Sequence, residues 1–486
     1  MSQLAEAGNA NHAAQRRYQE TRMARWDSIG ENMDTRRSWG RYYHRRITQI
    51  YRFLVPAGLK ILELGCGRGD LLSALEPLRG VGVDFSRVML SQARESHPHL
   101  FFLQADAHAL SLHGKFDVII LSDLLDDLWD VETVFKTLLP LTTSSTRLIL
   151  NSYSRVWELP LAIAKKLGVA KPTLYQNWLT VEDIGSLLSL AGFEIIRHWE
   201  EILWPVPTFL INSFCNRFLS KIWPFQALAL TNFILARPQV RPIFSPGPPR
   251  VSVVIPARNE AENIPQIFTR TPEIGGGTEL IFVEGHSKDD TYSEIERHIA
   301  LHPQRCAKLL RQKGTGKGDA VREGFANAAG DILMILDADL TVAPEDLPRF
   351  YEALVTGKGE FVNGVRLVYP MEKQAMRFLN LLGNKFFSLA FSWLLGQPIK
   401  DTLCGTKVLW KKDYDLIAAN RSYFGDFDPF GDFDLLFGAA KIGRKIIDLP
   451  IRYRERTYGT TNIRRWQHGL LLLRMVLFSA GRIKFV

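Results

Sequence analysis

Apolar residues along this chain gather in short, mostly apolar runs instead of alternating regularly with polar ones. In the first half these are Lys60-Ile-Leu-Glu-Leu64, Val81-Gly-Val-Asp84, Phe116-Asp-Val-Ile-Ile-Leu121, Arg147-Leu-Ile-Leu-Asn151 and Ala191-Gly-Phe-Glu-Ile-Ile196. In the second half they are Val251-Ser-Val-Val-Ile255, Leu280-Ile-Phe-Val-Glu284 and Ile332-Leu-Met-Ile-Leu336. Strands apolar at consecutive positions are buried on both faces, as in a parallel sheet covered by helices. The expected fold class is therefore α/β. One doubly wound sheet normally has one ligand crevice, where strand order reverses, so glycine-rich and acidic strand ends in both halves predict two doubly wound domains.

Proline fixes the boundary. Arg237-Pro-Gln-Val-Arg-Pro-Ile-Phe-Ser-Pro-Gly-Pro-Pro-Arg250 is too dense in proline for a helix or a central strand and reads as a linker. The expected organisation is an arm over 1–40, a first domain over 41–236, the linker over 237–250, a second domain over 251–465 and an amphipathic basic segment over 466–486. The 486 residues exceed the roughly 250–300 at which a single core stops growing, which agrees. Residues 1–17 are polar and lack the apolar stretch of a secretory signal, so they read as a flexible or helical arm.

In the first domain, strand 60–64 runs into Gly65-x-Gly67-x-Gly69 and a helix from Asp70, with Glu63 just ahead of the turn. This is not the Gly-x-Gly-x-x-Gly of a dinucleotide site. Asp84 closes the second strand, where a carboxylate can accept hydrogen bonds from both ribose hydroxyls, and Asp106 follows the third. With these residues, positions 40–200 resemble a class I S-adenosylmethionine-dependent methyltransferase. The resemblance implies a Rossmann-like fold, S-adenosyl-L-methionine as cofactor, Glu63, Gly65, Gly67 and Gly69 near its methionine part, Asp84 on the ribose and Asp106 on the adenine. No unique base for a methyl acceptor stands out. Asp123, Asp126, Asp127 and Tyr153 are candidates, with Tyr175, Gln176, Asn177 and Trp178 as pocket residues, and a structural role is the stronger expectation for each. The stretch 204–236, rich in Trp, Phe, Leu and Pro, either completes the domain or forms a membrane-facing patch.

In the second domain, Pro256-Ala-Arg-Asn-Glu260, Glu284 and Asp337-Ala-Asp339 each follow an apolar strand. Two carboxylates separated by one residue at a strand end can share a hard divalent cation that bridges a diphosphate. Residues 250–465 resemble the GT-A fold of family 2 glycosyltransferases. That resemblance implies Pro256, Ala257, Glu260 and Glu284 around the nucleotide, Lys317 near the diphosphate, and Asp337 and Asp339 on Mg2+ or Mn2+. Gly364-Val-Arg366, Arg377, Asp401-Thr-Leu-Cys-Gly-Thr-Lys407 and Pro450 to Thr461 place it near the dolichyl-phosphate mannosyltransferase-like enzymes. Arg366, Arg377 and Arg456 would then grip phosphates. Asn462 replaces the lysine common in that subgroup, and Arg464 or Arg465 would compensate. For a hydroxyl acceptor, Asp434 or Asp432 would be the base, against a reading in which both cap a helix beginning near Leu435. A phosphate acceptor would need none.

Charge and hydropathy then narrow the partners. The net charge is +9, with Lys441, Arg444, Lys445 and further basic residues crowded toward the C-terminus. Such a surface attracts phosphate, and with no aromatic stacking platform the expected partner is an anionic membrane, not nucleic acid. No run approaches the roughly 20 apolar residues of a spanning helix. Segments 376–395 and 469–479 are expected either to lie flat on a bilayer or to pack in a core. The scattered Cys66, Cys215, Cys306 and Cys404 read as buried thiols in a reducing compartment. Together these features predict a cytoplasmic enzyme, peripheral at the inner face of the membrane. It would move sugar from a nucleoside diphosphate-sugar to a polyprenyl phosphate or lipid-linked acceptor and methylate a substrate of the same pathway. The alternative keeps the glycosyltransferase and makes the first domain a non-catalytic S-adenosylmethionine sensor.

Overall fold

The computed structural model describes residues 2–31, 40–167, 174–239, 247–366, 378–421, 432–452 and 465–485. It divides into two compact units, residues 1–240 with 485–486, and residues 241–484.

The first unit holds seven strands: β1 Lys60–Leu64, β2 Arg79–Asp84, β3 Phe101–Gln104, β4 Val118–Ser122, β5 Arg147–Tyr153, β6 Phe193–Glu201 and β7 Thr231–Pro238. Their order is β3-β2-β1-β4-β5-β7-β6. Pairing is parallel from β3 to β5, while β7 runs antiparallel to both β5 and β6. Successive residues of one strand feed opposite cores. Leu62, Ile119 and Leu121 pack toward helices Val131–Leu138 and Val181–Leu190. Ile61, Val118 and Ile120 pack toward Tyr43, Ile47 and Tyr51 of helix Gly40–Leu54. Burial on both faces is why these strands read as continuous apolar runs. Strand order reverses between β1 and β4, opening the crevice there.

Residues 231–238 thus complete the sheet. This corrects the expected start of the linker: Arg237 and Pro238 lie in an interior strand, with Arg237 paired to Glu194 at 2.6 Å. Proline is tolerated because pairing of β7 with β5 ends at Ala236, so the N–H that Pro238 lacks has no ladder partner to leave unpaired.

The second unit repeats the plan with β8 Val251–Ala257, β9 Thr278–Glu284, β10 Cys306–Arg311, β11 Ile332–Ile335, β12 Phe361–Val365, β13 Lys407–Trp410 and β14 Ile446–Pro450. The order is β10-β9-β8-β11-β13-β12-β14, with β13 antiparallel to β11 and β12. Helix Lys317–Ala326 crosses β8 so closely that a Cβ on Gly324 would collide with Val254. The reversal lies between β8 and β11.

Two expectations change. Arg444 is buried and paired with Asp413 at 2.9 Å, so it is no surface cation. Cys306 is exposed and Cys215 only half-buried, whereas Cys66 and Cys404 are buried. Helices Phe378–Leu395 and Arg465–Ser479 are two-faced: Phe391, Leu394, Leu472 and Met475 are buried, while Leu389 and Leu477 face outward. Among the described residues no helix is long and apolar enough to cross a membrane.

Candidate active sites

In the first crevice the turn after β1 has Gly65, Gly67 and Gly69 all at positive φ, 69°, 51° and 74°. Gly65 and Gly69 press on Leu124 and Phe102, whereas a Cβ on Gly67 would meet nothing within 4 Å. Asp84 is held by backbone, its Oδ2 accepting from Gly67 N at 2.9 Å and its Oδ1 from Ser86 N at 2.8 Å. Burial still raises its pKa against those bonds. Glu63 is buried with Oε2 unpartnered, and burial pushes its carboxyl well above the usual range. A buried acid with one unpartnered oxygen, beside a turn that is open at Gly67, fits a ligand that brings cationic and hydroxyl groups, as S-adenosylmethionine does.

The arm is part of this site. Helix Ser2–Glu31 crosses the strand ends: Gln19 Nε2 donates to Asp106 Oδ2 at 2.7 Å, Trp26 Nε1 to Asp127 Oδ2 at 3.2 Å, and Ser86 Oγ bonds Asp27 Oδ1. Asp106 also accepts from His108 Nδ1 at 2.7 Å. Burial opposes, but the bonds from His108 and Gln19 leave its pKa lowered.

Beyond β4 lies a buried acid and phenol network. Asp123, at a strained φ of 52°, accepts from Tyr43 Oη at 2.7 Å and Asn151 Nδ2 at 2.5 Å, while Tyr51 Oη donates to Asn151 Oδ1 at 2.8 Å. Asp126 Oδ2 accepts from Tyr153 N at 3.3 Å and its Oδ1 has no partner. Burial raises Asp126 to about 8. Asn177 anchors this loop through Leu125 O and Leu128 O, whereas Tyr175 is exposed. Tyr43, Gln19 and Asn151 carry no motif and are invisible to sequence reading.

In the second crevice Pro256 and Ala257 end β8, and Asn259 and His286 turn the chain at positive φ. Glu260 is buried, accepting from Asn263 Nδ2 at 2.7 Å, and Glu284 Oε1 accepts from Ser287 N at 2.5 Å. Gln312 fastens the following loop through Gly316 O at 2.7 Å and Asp319 Oδ2 at 3.1 Å. Lys317 Nζ reaches Asp337 Oδ1 at 2.5 Å. A Cβ on Gly405 would overlap both partners, so the loop before β13 closes on this pair only as glycine. Burial raises the Asp337 pKa, but Lys317, Lys407 and Arg366 outweigh it and hold the carboxyl anionic. Asp339 Oδ1 accepts from Thr341 N and Oγ1 at 3.1 and 2.8 Å.

Among the described residues no three acidic, His or Cys side chains form a metal cluster. Two carboxylates at one strand end, Asp337 held anionic, are the kind of donor set Mg2+ takes, one or two carboxylates with substrate phosphates and water completing its shell.

Arg366 binds the fully buried Asp401 bidentately at 2.7 and 2.9 Å, with Asn384 Nδ2 on the same carboxylate at 3.0 Å. Burial opposes ionisation, yet Arg366 dominates and brings Asp401 down to about 2. Asp434 pairs with Arg421 at 2.8 Å. Helix Asp432–Lys441 begins earlier than expected, so both aspartates sit in its first turn. Arg377, Arg456, Asn462 and Arg464 lie outside the described residues, as do the side chains of Asp432 and Arg465.

Residues 252–414 match the family model Glycosyl transferase family 2, and residues 56–193 match the model Methyltransferase domain. The chain joins a methyltransferase domain to a family 2 glycosyltransferase domain. Among curated relatives, the dolichol-phosphate mannosyltransferase of Pyrococcus furiosus is 27% identical over 221 residues, covering 44% of this chain and 59% of that protein. The undecaprenyl-phosphate 4-deoxy-4-formamido-L-arabinose transferase of Proteus mirabilis is 35% identical over 216 residues, covering 43% and 61%. The chain thus spans about three fifths of the length of these relatives. A Thermotoga maritima SAM-dependent methyltransferase structure aligns with 44% of this chain and 98% of its own, at 18% identity and a TM-score of 0.35.

Proposed function

We propose that the glycosyltransferase domain transfers a sugar from a nucleoside diphosphate-sugar to a polyprenyl phosphate or a related lipid-linked acceptor at a membrane surface. The observation that carries this reading is the Lys317, Asp337 and Gly405 cluster at the end of β11. Asp337 and Asp339 would hold a divalent cation, which when bound neutralises the departing diphosphate. Lys317 would exchange its contact with Asp337 for a phosphate oxygen. The ion pair of Asp434 with Arg421 supports a phosphate acceptor, because the carboxylate that would have to take a hydroxyl proton is engaged by arginine and an anionic phosphate needs no base.

The methyltransferase domain, in the same reading, binds S-adenosylmethionine through Glu63, the glycine turn and Asp84, and methylates a substrate of the same glycan or glycolipid pathway. The test is to incubate the chain with membranes, Mg2+ and a panel of radiolabelled sugar nucleotides and to extract lipid. Label should enter the lipid with wild type and not with Asp339→Ala. Equal incorporation by both contradicts the metal assignment. A parallel incubation with methyl-labelled cofactor should label a lipid or glycan, and cofactor binding without any labelled product would instead favour the sensor.

A further inference from the structure

Between β6 and β7 the chain folds into a compact insertion whose polarity is inverted. Three of its polar residues, Asn216, Ser220 and Lys221, are buried. Asn216 is buried and clamps Trp204, accepting from its N at 2.7 Å and donating to its O at 2.7 Å, and it also donates to Tyr42 Oη at 2.9 Å. Lys221 is buried too, paired to Glu201, which Arg46 approaches at 3.5 Å. Its apolar groups point outward: ten large apolar side chains between 204 and 228 are exposed, Phe209 at 90% and Trp223 at 78%. The neighbouring helix Glu158–Lys166 extends this face. It has no buried residue, exposes Leu159 and Ile163, ends in Lys165 and Lys166, and is joined to the insertion by Trp157 Nε1 on Leu228 O at 2.8 Å.

Apolar patches of this kind mark an interaction surface, and composition selects the partner. No Asp or Glu occurs between Ile202 and Asn259, so the insertion offers no anionic group while Arg217 and the two lysines flank it. Aromatic side chains mixed with cations suit the boundary between anionic headgroups and acyl chains. A second copy of this chain would present the same cations to itself and repel.

We infer that the β6–β7 insertion and helix Glu158–Lys166 form a bilayer-docking face through which the methyltransferase domain itself rests on an anionic membrane. The geometry stands apart from the sugar-transfer reading. Only its purpose, presenting a lipid-borne methyl acceptor to the first crevice, rests on the pathway proposed above.

The test uses the full chain with Cys215→Ser and Cys306→Ser, carrying an environment-sensitive fluorophore on Trp223→Cys or, as control, on the exposed Leu78→Cys. Vesicles of phosphatidylglycerol and phosphatidylethanolamine containing a lipid-chain quencher should quench position 223 and spare position 78. Vesicles of phosphatidylcholine should bind less. Phe209→Glu with Trp223→Glu should lower partition by about tenfold or more, while leaving the thermal transition and S-adenosylhomocysteine affinity unchanged. Flotation without quenching at 223, equal quenching at both positions, no flotation, or a lipid-free dimer that hides the label would each overturn the inference. Sugar incorporation into lipid on the same vesicles reports separately on the glycosyltransferase.

Discussion

The two crevices are built on nearly the same sheet plan and handle their acids in opposite ways. Around the first, the buried Glu63 and Asp126 and the half-buried Asp84 have pKa values raised by desolvation, and Glu63 and Asp126 each keep an unpartnered oxygen. Around the second, the half-buried Asp337 and the fully buried Asp401 are held anionic by Lys317 and Arg366. The shared order of the four strands around each crevice therefore does not fix the electrostatics; the neighbours of each acid do. Carboxyls without cations suit a ligand that carries its own positive charge, whereas acids interleaved with cations suit phosphates and a metal ion.

Removing a paired acid should have the largest effect. Asp337→Asn breaks the contact with Lys317 and one metal ligand together, so sugar transfer should fall about a hundredfold or more at saturating Mg2+. Next comes Asp401→Asn, which leaves the Arg366 guanidinium buried against a neutral amide. Breaking such a pair costs about 3–5 kcal/mol, to be read as a lower melting temperature for the second unit alone.

The pH response should separate the units. Asp126, raised to about 8 from 3.8, adds stability that is complete below about pH 4 and is lost as pH rises through 8. Asp401, held at about 2, adds stability above about pH 4 that is lost as pH falls toward 2. Melting of the first unit should therefore drop between pH 6 and 8, and Asp126→Asn should flatten that drop. A wild-type profile that rises over this interval contradicts the burial argument. The smallest effect is expected from Asp434→Asn, which should lower kcat by less than about tenfold if the acceptor is a phosphate, whereas loss by orders of magnitude would make it the base.

Sequence made the strand ends legible because turn chemistry is local: glycines at positive φ, a carboxylate closing β2 and Asp337-Ala-Asp339 after β11 need only a few residues to recognise. Contacts between distant segments were not legible. Helix Ser2–Glu31 docks through Gln19, Trp26 and Asp27, which leave no amphipathic stripe. Strand β7 was hidden by its proline end and by the aromatic run before it. The ion pairs of Asp434 with Arg421 and of Arg444 with Asp413 join residues whose encounter depends on the fold, so composition suggested a free acid and a surface cation instead.

Crossed calorimetric titration tests the central contrast most directly. S-adenosylhomocysteine and a nucleoside diphosphate with Mn2+ should bind the same chain independently, Glu63→Gln weakening only the first and Asp339→Ala only the second. Loss of both ligands from either substitution, or no binding of the diphosphate at millimolar Mn2+, would contradict two separately tuned sites.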